Sequence, residues 1–311
     1  MNIVITGGSG FVGSYLCEKL INDGHEIIVV DNLLTGSTEN INHLMNNENF
    51  SFIEHDVQNH IEIENKVDYV LHFASAASPK AYTEHPVNTL KAGSVGTINT
   101  LGLAKKHDAE YLLASTSEVY GDPLISPQTE EYWGNVNPNG ERSMYDEAKR
   151  FAEAAVATYS RSYDLKTKIV RIFNTYGPRM QLNDGRVVTN FIVQALKNEN
   201  ITIYGDGSQT RSFSYVEDTV AGIISLMNSS EYDVFNIGNP NEMTVGQLAE
   251  KIIELTDSTS EIKYLELPND DPKQRKPDIT KAKTKLNWEP KVNLEDGLTK
   301  TIKWVEGQLS K

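Results

Sequence analysis

The sequence predicts an α/β protein built on a doubly wound parallel sheet, with a smaller α/β lobe toward the C-terminus. Three observations carry this. Short apolar runs at residues 3–5, 27–30, 50–53, 69–73, 111–114 and 169–173 have strand length and alternate with segments of helical periodicity. Three glycines, Gly7-x-x-Gly10-x-x-Gly13, stand where the first run turns into a helix. No internal repeat or low-complexity linker divides the chain, so the lobe is expected to pack directly on the sheet.

The first run leads into a helix over 11–22, with Phe11, Leu16 and Leu20 at helical spacing. Glycine lets the backbone approach a ligand closely, and the free N–H groups of a helix N-terminus favour a pyrophosphate. Gly7, Gly10, Phe11, Val12 and Gly13 are therefore the candidate phosphate cradle of a Rossmann-type nucleotide site. The second run ends at Asp31 and Asn32, where a carboxylate can accept from both hydroxyls of an adenosine ribose and would repel a 2′-phosphate. NAD is the cofactor expected. Ligands of such sheets bind beyond the carboxyl ends of the strands, which brings in Asp56 and Val57 after the third run, with Asp56 facing the adenine. It also brings in Ala74 after the fourth, Ser115 to Glu118 after the fifth and Asn174 and Thr175 after the sixth.

Helices are expected over 86–106 and 143–162, the second with a small apolar face formed by Tyr145, Ala148, Ala152, Ala155, Val156 and Tyr159. That face suits the sheet or a second subunit. Further helices are expected at 187–198, 216–227, 245–255 and 294–305, with a strand at 234–237. Lys281 to Lys285 reads as a solvated helix face. The division expected is a nucleotide-binding domain over 1–178, with 212–240 returning to it, and a smaller lobe from 179–211 and 241–311.

Composition narrows the chemistry. The 311 residues are 39% apolar, enough for a sizeable core, and the formal net charge of −14 disfavours nucleic acid as a partner. Anionic ligands then need local arginines and helix N-termini. No apolar stretch reaches the roughly 18 residues of a membrane span, and Met1 leads straight into a strand, so a cytoplasmic protein without membrane attachment is expected. The lone Cys17 excludes an internal disulfide and reads as a small buried side chain, and the seven histidines show no metal-ligand spacing.

Tyr145 and Lys149 lie one helical turn apart. A phenol of pKa about 10 is a poor base at neutral pH, but an ammonium and a cationic nicotinamide beside it favour the phenolate. Lowering it by about three units corresponds to roughly 4 kcal/mol. Such a tyrosine can take a proton from an alcohol as hydride leaves the same carbon, with Thr116 as a hydrogen-bond partner to that oxygen.

These residues resemble the extended short-chain dehydrogenases/reductases, and within them the UDP-glucuronate decarboxylases. The resemblance covers nearly the whole chain. The glycine fingerprint and Tyr-x-x-x-Lys belong to the whole superfamily. More specific are Leu112-Leu-Ala-Ser-Thr-Ser-Glu-Val-Tyr-Gly-Asp-Pro123, Tyr145-Asp-Glu-Ala-Lys-Arg150 and Arg171-Ile-Phe-Asn-Thr-Tyr-Gly-Pro-Arg-Met180. So are Asp184-Gly-Arg-Val-Val188, Tyr204-Gly-Asp-Gly-Ser-Gln-Thr-Arg-Ser-Phe213 and Asp270-Asp-Pro-Lys-Gln-Arg-Lys-Pro-Asp278. The sequence departs at Ala76, Asn139 and Ala148, where the family often has proline, isoleucine and glycine, and none of these is a reacting side chain.

The resemblance implies that NAD oxidises C4 of UDP-glucuronate with Tyr145 as base. Carbon dioxide then leaves the β-keto acid without a metal, and hydride returns to C4 to give UDP-xylose. Glu118, alone or through a water with Ser117, is the candidate to deliver or position the proton for C5, on the expectation that a carboxylate beside a desolvated anion has a raised pKa. Asn174, Arg211 and Arg275 are implied for the diphosphate, Tyr204 for the uracil, and Arg186 for either ligand's ribose or phosphates. A homodimer through the two long helices is also implied. Rival readings are a 4-epimerase, which lacks Glu118, a 4,6-dehydratase, which has Asp-Glu in place of Ser117-Glu118, and a non-catalytic NAD sensor, which commonly loses the tyrosine or lysine.

Overall fold

The computed structural model describes residues 1–266 and 274–310. All six expected apolar runs form strands: β1 Asn2–Thr6, β2 Glu26–Asp31, β3 Phe50–Glu54, β4 Tyr69–His72, β5 Glu110–Thr116 and β6 Thr167–Ile172. A seventh, β7 Val234–Ile237, pairs with β6. They make one parallel sheet in the order β7-β6-β5-β4-β1-β2-β3, so the chain reverses direction between β1 and β4. Their carboxyl ends form one rim, and a crevice opens at that switch point.

Successive strand residues point to opposite faces, and this splits the core in two. Ile3, Ile5, Leu71 and Leu112 join one buried layer with Leu16 and Leu20 of α1 (Phe11–Asn22). Val4, Val70, Tyr111 and Leu113 join the other with Leu101 of α4 (Thr97–His107) and Ala152 and Val156 of α5 (Ser143–Tyr163). Cys17 is fully buried in the first layer.

One expectation needs correction. Residues 86–107 are not a single helix but α3 (Pro86–Lys91), a π-helical turn Ala92–Gly96 and α4. Gly93 and Gly96 sit in the wide turn, where a Cβ would lie 2.7 Å from the Ala148 Cβ and 2.7 Å from Val57 Cγ2 respectively. The bare backbone lets this segment press against α5. A short helix not evident in the sequence, α2 (Pro79–Glu84), precedes it, capped by the Ser78 hydroxyl.

Beyond β6 come α6 (Val187–Leu196), α7 (Val216–Met227), α8 (Val245–Thr256), α9 (Thr280–Leu286) and α10 (Leu294–Leu309). The start of α8 is fixed by a capping box between Thr244 and Gln247. Lys281 and Lys283 on α9 pair with Asp233 and Glu289 at 2.6 and 2.8 Å, as a solvated face would. A small sheet built on Thr210–Ser212 takes Glu242–Thr244 antiparallel on one side and Gln274–Arg275 parallel on the other. That pairing carries Arg211 and Arg275 to the crevice. Among the described residues, no helix is long and apolar enough to cross a membrane.

Candidate active site

One cavity of about 1300 Å³ runs along the rim of the sheet, and every site residue proposed from sequence lines it. At one end the β1–α1 turn forms a cradle. Gly7 has φ +75°, and a Cβ there would lie 2.6 Å from the Ala74 backbone nitrogen. Gly10 N-caps α1 with no side chain on the first N–H groups, so Phe11, Val12 and Gly13 present theirs to a ligand. Asp31 is buried and accepts from the N–H groups of Ser9 and Leu33 at 3.0 and 2.9 Å, which fixes its carboxylate at the end of β2. Asp56 accepts from the Asn32 amide at 3.0 Å. Val57 and Ala74 complete the wall, and Thr175 donates to the Phe173 carbonyl at 2.9 Å. A glycine cradle, an uncapped helix end and an oriented carboxylate fit a dinucleotide of the NAD type.

Under the middle of the cavity α5 presents Tyr145 and Lys149 one above the other. Lys149 donates to the Ala114 carbonyl at 2.7 Å, and its nitrogen lies 5.9 Å from the Tyr145 ring centre. Burial lowers the Lys149 ammonium to about 8, with the Glu153 charge pulling the other way. Burial pushes the Tyr145 phenol up. A hydrogen bond with Thr116 pulls it down, and the charges of Glu118 and Asp146 push it further up. The protein's own groups therefore keep Tyr145 protonated, and the expected phenolate needs the cationic nicotinamide as well as the Lys149 ammonium. Thr116 also accepts from the Glu118 N–H at 3.2 Å, so it both caps the turn after β5 and faces Tyr145.

Glu118 departs most from expectation. Burial alone would raise its pKa, but the guanidinium groups of Arg275 and then Arg142 outweigh burial and hold it below the usual carboxylate range. Arg142 pairs with one carboxylate oxygen and Arg275 with the other. Arg275 is itself buried, and it donates to the Gly121 carbonyl at 2.8 Å and to Ser117 Oγ at 3.4 Å. Expected on a diphosphate, it pairs in this structure with the acid.

The other candidates lie toward the smaller lobe. Arg186 forms a two-point pair with buried Asp184, at 2.7 and 2.5 Å, and lies over the Phe11 ring, so its charge is already balanced. Arg211 donates to the Thr210 carbonyl at 2.9 Å. Tyr204 is half exposed at the mouth, and the Asn174 carbonyl accepts from the Ser214 N–H at 2.9 Å. Asp270 to Lys273 of the last sequence motif lie outside the described residues.

Sequence reasoning missed three neighbours of the site. Tyr82 of α2 stacks on Tyr145, ring centres 5.3 Å apart and 15° from parallel. Arg142, which caps the start of α5, and Asp146, in its first turn, flank Tyr145. Helical spacing could have found Arg142, three residues before Tyr145 and hence on its face. Nothing in the local sequence marks Tyr82.

The profile of the GDP-mannose 4,6 dehydratase family matches residues 4–301. UDP-glucuronic acid decarboxylase 1 of Xenopus tropicalis is 53% identical over 307 residues, covering 99% of this chain and 72% of that protein. UDP-glucuronic acid decarboxylase 3 of Arabidopsis thaliana is 54% identical over 299 residues, covering 96% and 87%. Among solved structures, UDP-glucose 4-epimerase of Thermotoga maritima with UDP-glucose superposes with TM-score 0.92 at 34% identity, covering 99% of this chain and 100% of that one. UDP-glucuronic acid 4-epimerase of Bacillus cereus with UDP-glucuronic acid and NAD gives 0.88 at 26%, covering 99% and 100%. A parallel sheet with a glycine cradle and a Tyr–Lys pair on one helix, together with these likenesses, places the chain in the extended short-chain dehydrogenase/reductase family, among its UDP-glucuronic acid decarboxylases.

Proposed function

We propose that the chain converts UDP-glucuronate to UDP-xylose and carbon dioxide with NAD as a retained cofactor. The observation that carries this reading is the carboxylate of Glu118 between two guanidinium groups, in the same cavity as Tyr145 and Thr116. Two guanidinium groups meeting at one carboxylate put basic side chains in this part of the cavity of an otherwise acidic chain, which suits an incoming sugar acid.

Bound along Gly7–Gly13, Asp31 and Asp56, NAD supplies a hydride acceptor for C4, a positive charge near the phenol, and later the hydride that C4 needs back. Tyr145 takes the proton of the C4 hydroxyl, and the Lys149 ammonium, fixed by Ala114, favours its anion. A ketone at C4 is β to the C6 carboxylate, so carbon dioxide leaves with its bonding electrons delocalised onto the C4 oxygen. Thr116 and the now protonated Tyr145 donate to that oxygen. Glu118 delivers a proton to C5, and Tyr145 returns its own to O4. Arg211, Asn174 and Tyr204 hold the nucleotide of the sugar, Ser117 and Arg275 orient Glu118, and Thr175 and Arg186 border the cofactor.

We assign the nucleotide fold to 1–178 with 212–240, and the sugar-nucleotide lobe to 179–211 and 241–311. Val87, Leu90, Val95 and Ile98 on α3–α4 and Phe151 on α5 are exposed apolar side chains, which supports a homodimer through these helices. A cytoplasmic location is in keeping with the composition. The test of function is incubation with UDP-glucuronate and NAD, read by mass spectrometry. A UDP-pentose with carbon dioxide is expected, and an isomer of unchanged mass would overturn the reading in favour of a 4-epimerase.

A further inference from the structure

Written in full, the reaction takes UDP-glucuronate and one proton to UDP-xylose and carbon dioxide, so each turnover consumes a proton. Tyr145 cannot supply it, because the proton it takes from O4 goes back to O4. The carbon left by decarboxylation needs a separate acid. Glu118 faces the cavity, but Arg142 and Arg275 hold it ionised.

A second carboxyl, that of Asp146, feels its charge. Asp146 follows Tyr145 on α5, and its N–H donates to the Arg142 carbonyl at 3.1 Å, one turn back. It is 7% exposed, and its Oδ1 meets no hydrogen-bond partner among the described residues. A buried carboxylate oxygen without a donor is costly when charged and unremarkable when protonated.

On the decarboxylation reading above, we propose that Asp146 stores the proton consumed at C5 and passes it to Glu118, which delivers it. The groups around Asp146 are Tyr145 and Glu147 on its own helix, Arg142 at that helix's N-cap, Glu118 from the turn after β5, and Arg275 from the strand Gln274–Arg275. Burial and then the Glu118 charge push the Asp146 carboxyl up to about 7, against the pull of Arg142 and Arg275. Burial and the unmet Oδ1 thus favour the protonated form of Asp146, whereas the two arginines favour the ionised form of Glu118.

The sugar carboxylate, on arrival, competes for the same two guanidinium groups. Their hold on Glu118 weakens, its proton affinity rises, and transfer from Asp146 becomes favourable only with substrate seated. The enolate electron pair then forms the C5–H bond with the Glu118 proton. Glu118 returns to its arginines, and Asp146 takes its next proton from solvent. Asp146 touches no substrate atom, so it is a positioning residue that acts through Glu118.

The test compares wild type, Asp146→Asn and Asp146→Glu in single turnovers between pH 5.5 and 9, following NADH by absorbance and carbon dioxide and UDP-pentose by mass spectrometry. NADH should form at the wild-type rate in Asp146→Asn while UDP-pentose appears about a hundredfold more slowly, the contribution of a positioned acid. Its basic limb of the pH profile should be lost, and Asp146→Glu should restore that limb. Wild-type pentose formation and pH profile in Asp146→Asn would overturn the assignment. So would equal loss of NADH formation and pentose, which marks a structural role. A wild-type enzyme that forms no NADH from UDP-glucuronate would overturn the decarboxylation reading itself and the assignment with it.

Discussion

Glu118→Gln separates the two halves of the reaction. The amide has the shape of the carboxylate but cannot carry a proton to C5, and it removes the charge that both guanidinium groups face. Losing a positioned acid costs about 10²–10⁴ in rate, roughly 3–5 kcal/mol of transition-state free energy. Removing one partner of a buried ion pair costs about 3–5 kcal/mol of stability. Here Arg275 keeps the Gly121 carbonyl at 2.8 Å and Arg142 is 21% exposed, so a loss of about 2 kcal/mol is expected from the same source. The two guanidinium groups then no longer face the Glu118 charge and attract the sugar carboxylate more strongly, so KM should stay level or fall while kcat drops. The assay pairs stopped-flow absorbance of NADH with mass spectrometry of the nucleotide sugars. NADH should appear at least as fast as in wild type, because the Glu118 charge no longer opposes the Tyr145 phenolate, UDP-pentose should lag by two to four orders of magnitude, and the melting temperature should fall by a few degrees. Turnover within a factor of a few of wild type, or a raised KM with unchanged kcat, would remove Glu118 from the chemistry and refute the reasoning.

Gly7→Ala places a methyl group 2.6 Å from the Ala74 nitrogen at a φ of +75°, a strain of about 1–3 kcal/mol. The purified variant should release little NAD on heating, and a full complement would count against the cradle. His72 is buried with Nδ1 2.8 Å from Thr6 Oγ1 and Nε2 3.2 Å from Thr97 Oγ1. Burial, then the Lys149 charge, lowers its pKa to about 3. Below the unfolded value near 6.5 the unfolded chain binds a proton that the folded one refuses, so stability is full above that pH and falls as the solution is acidified. From pH 6.5 to 5 the loss is about 2 kcal/mol by urea titration, and His72→Gln should remove most of that slope. An unchanged slope would reject the assignment. Leu90→Glu together with Phe151→Glu should convert a dimer to a monomer in sedimentation, and a wild type that is monomeric at every concentration would exclude this interface.

Local sequence carried the strands and the cofactor end because each depends on short-range pattern. Ile3 to Ile5 reads as a strand, and Gly7, Gly10 and Gly13 mark a cradle, without knowledge of anything distant. The acid end did not read this way. Arg275 looks like a phosphate ligand in isolation, and only the pairing of its two-residue strand with Thr210–Ser212 sets it against Glu118, 157 positions away. The same contact reverses the pKa expected for Glu118. Tyr82 escaped because α2 is six residues long, too short for periodicity. The break in 86–107 escaped because the glycines that allow it answer to Ala148 and Val57, on other elements.

The last strand of the main sheet arrives late. Among the described residues β7 covers β6 on its outer side, and it is contributed by Val234–Ile237, after the chain has built α6 and α7. A ribosome that has emitted the chain as far as Pro178 has made the glycine cradle and the Tyr–Lys pair, yet Thr167–Ile172 still offers a row of open backbone donors and acceptors. A fragment cut at that point would leave this strand edge open to pairing with another chain until residues 234–237 cover it.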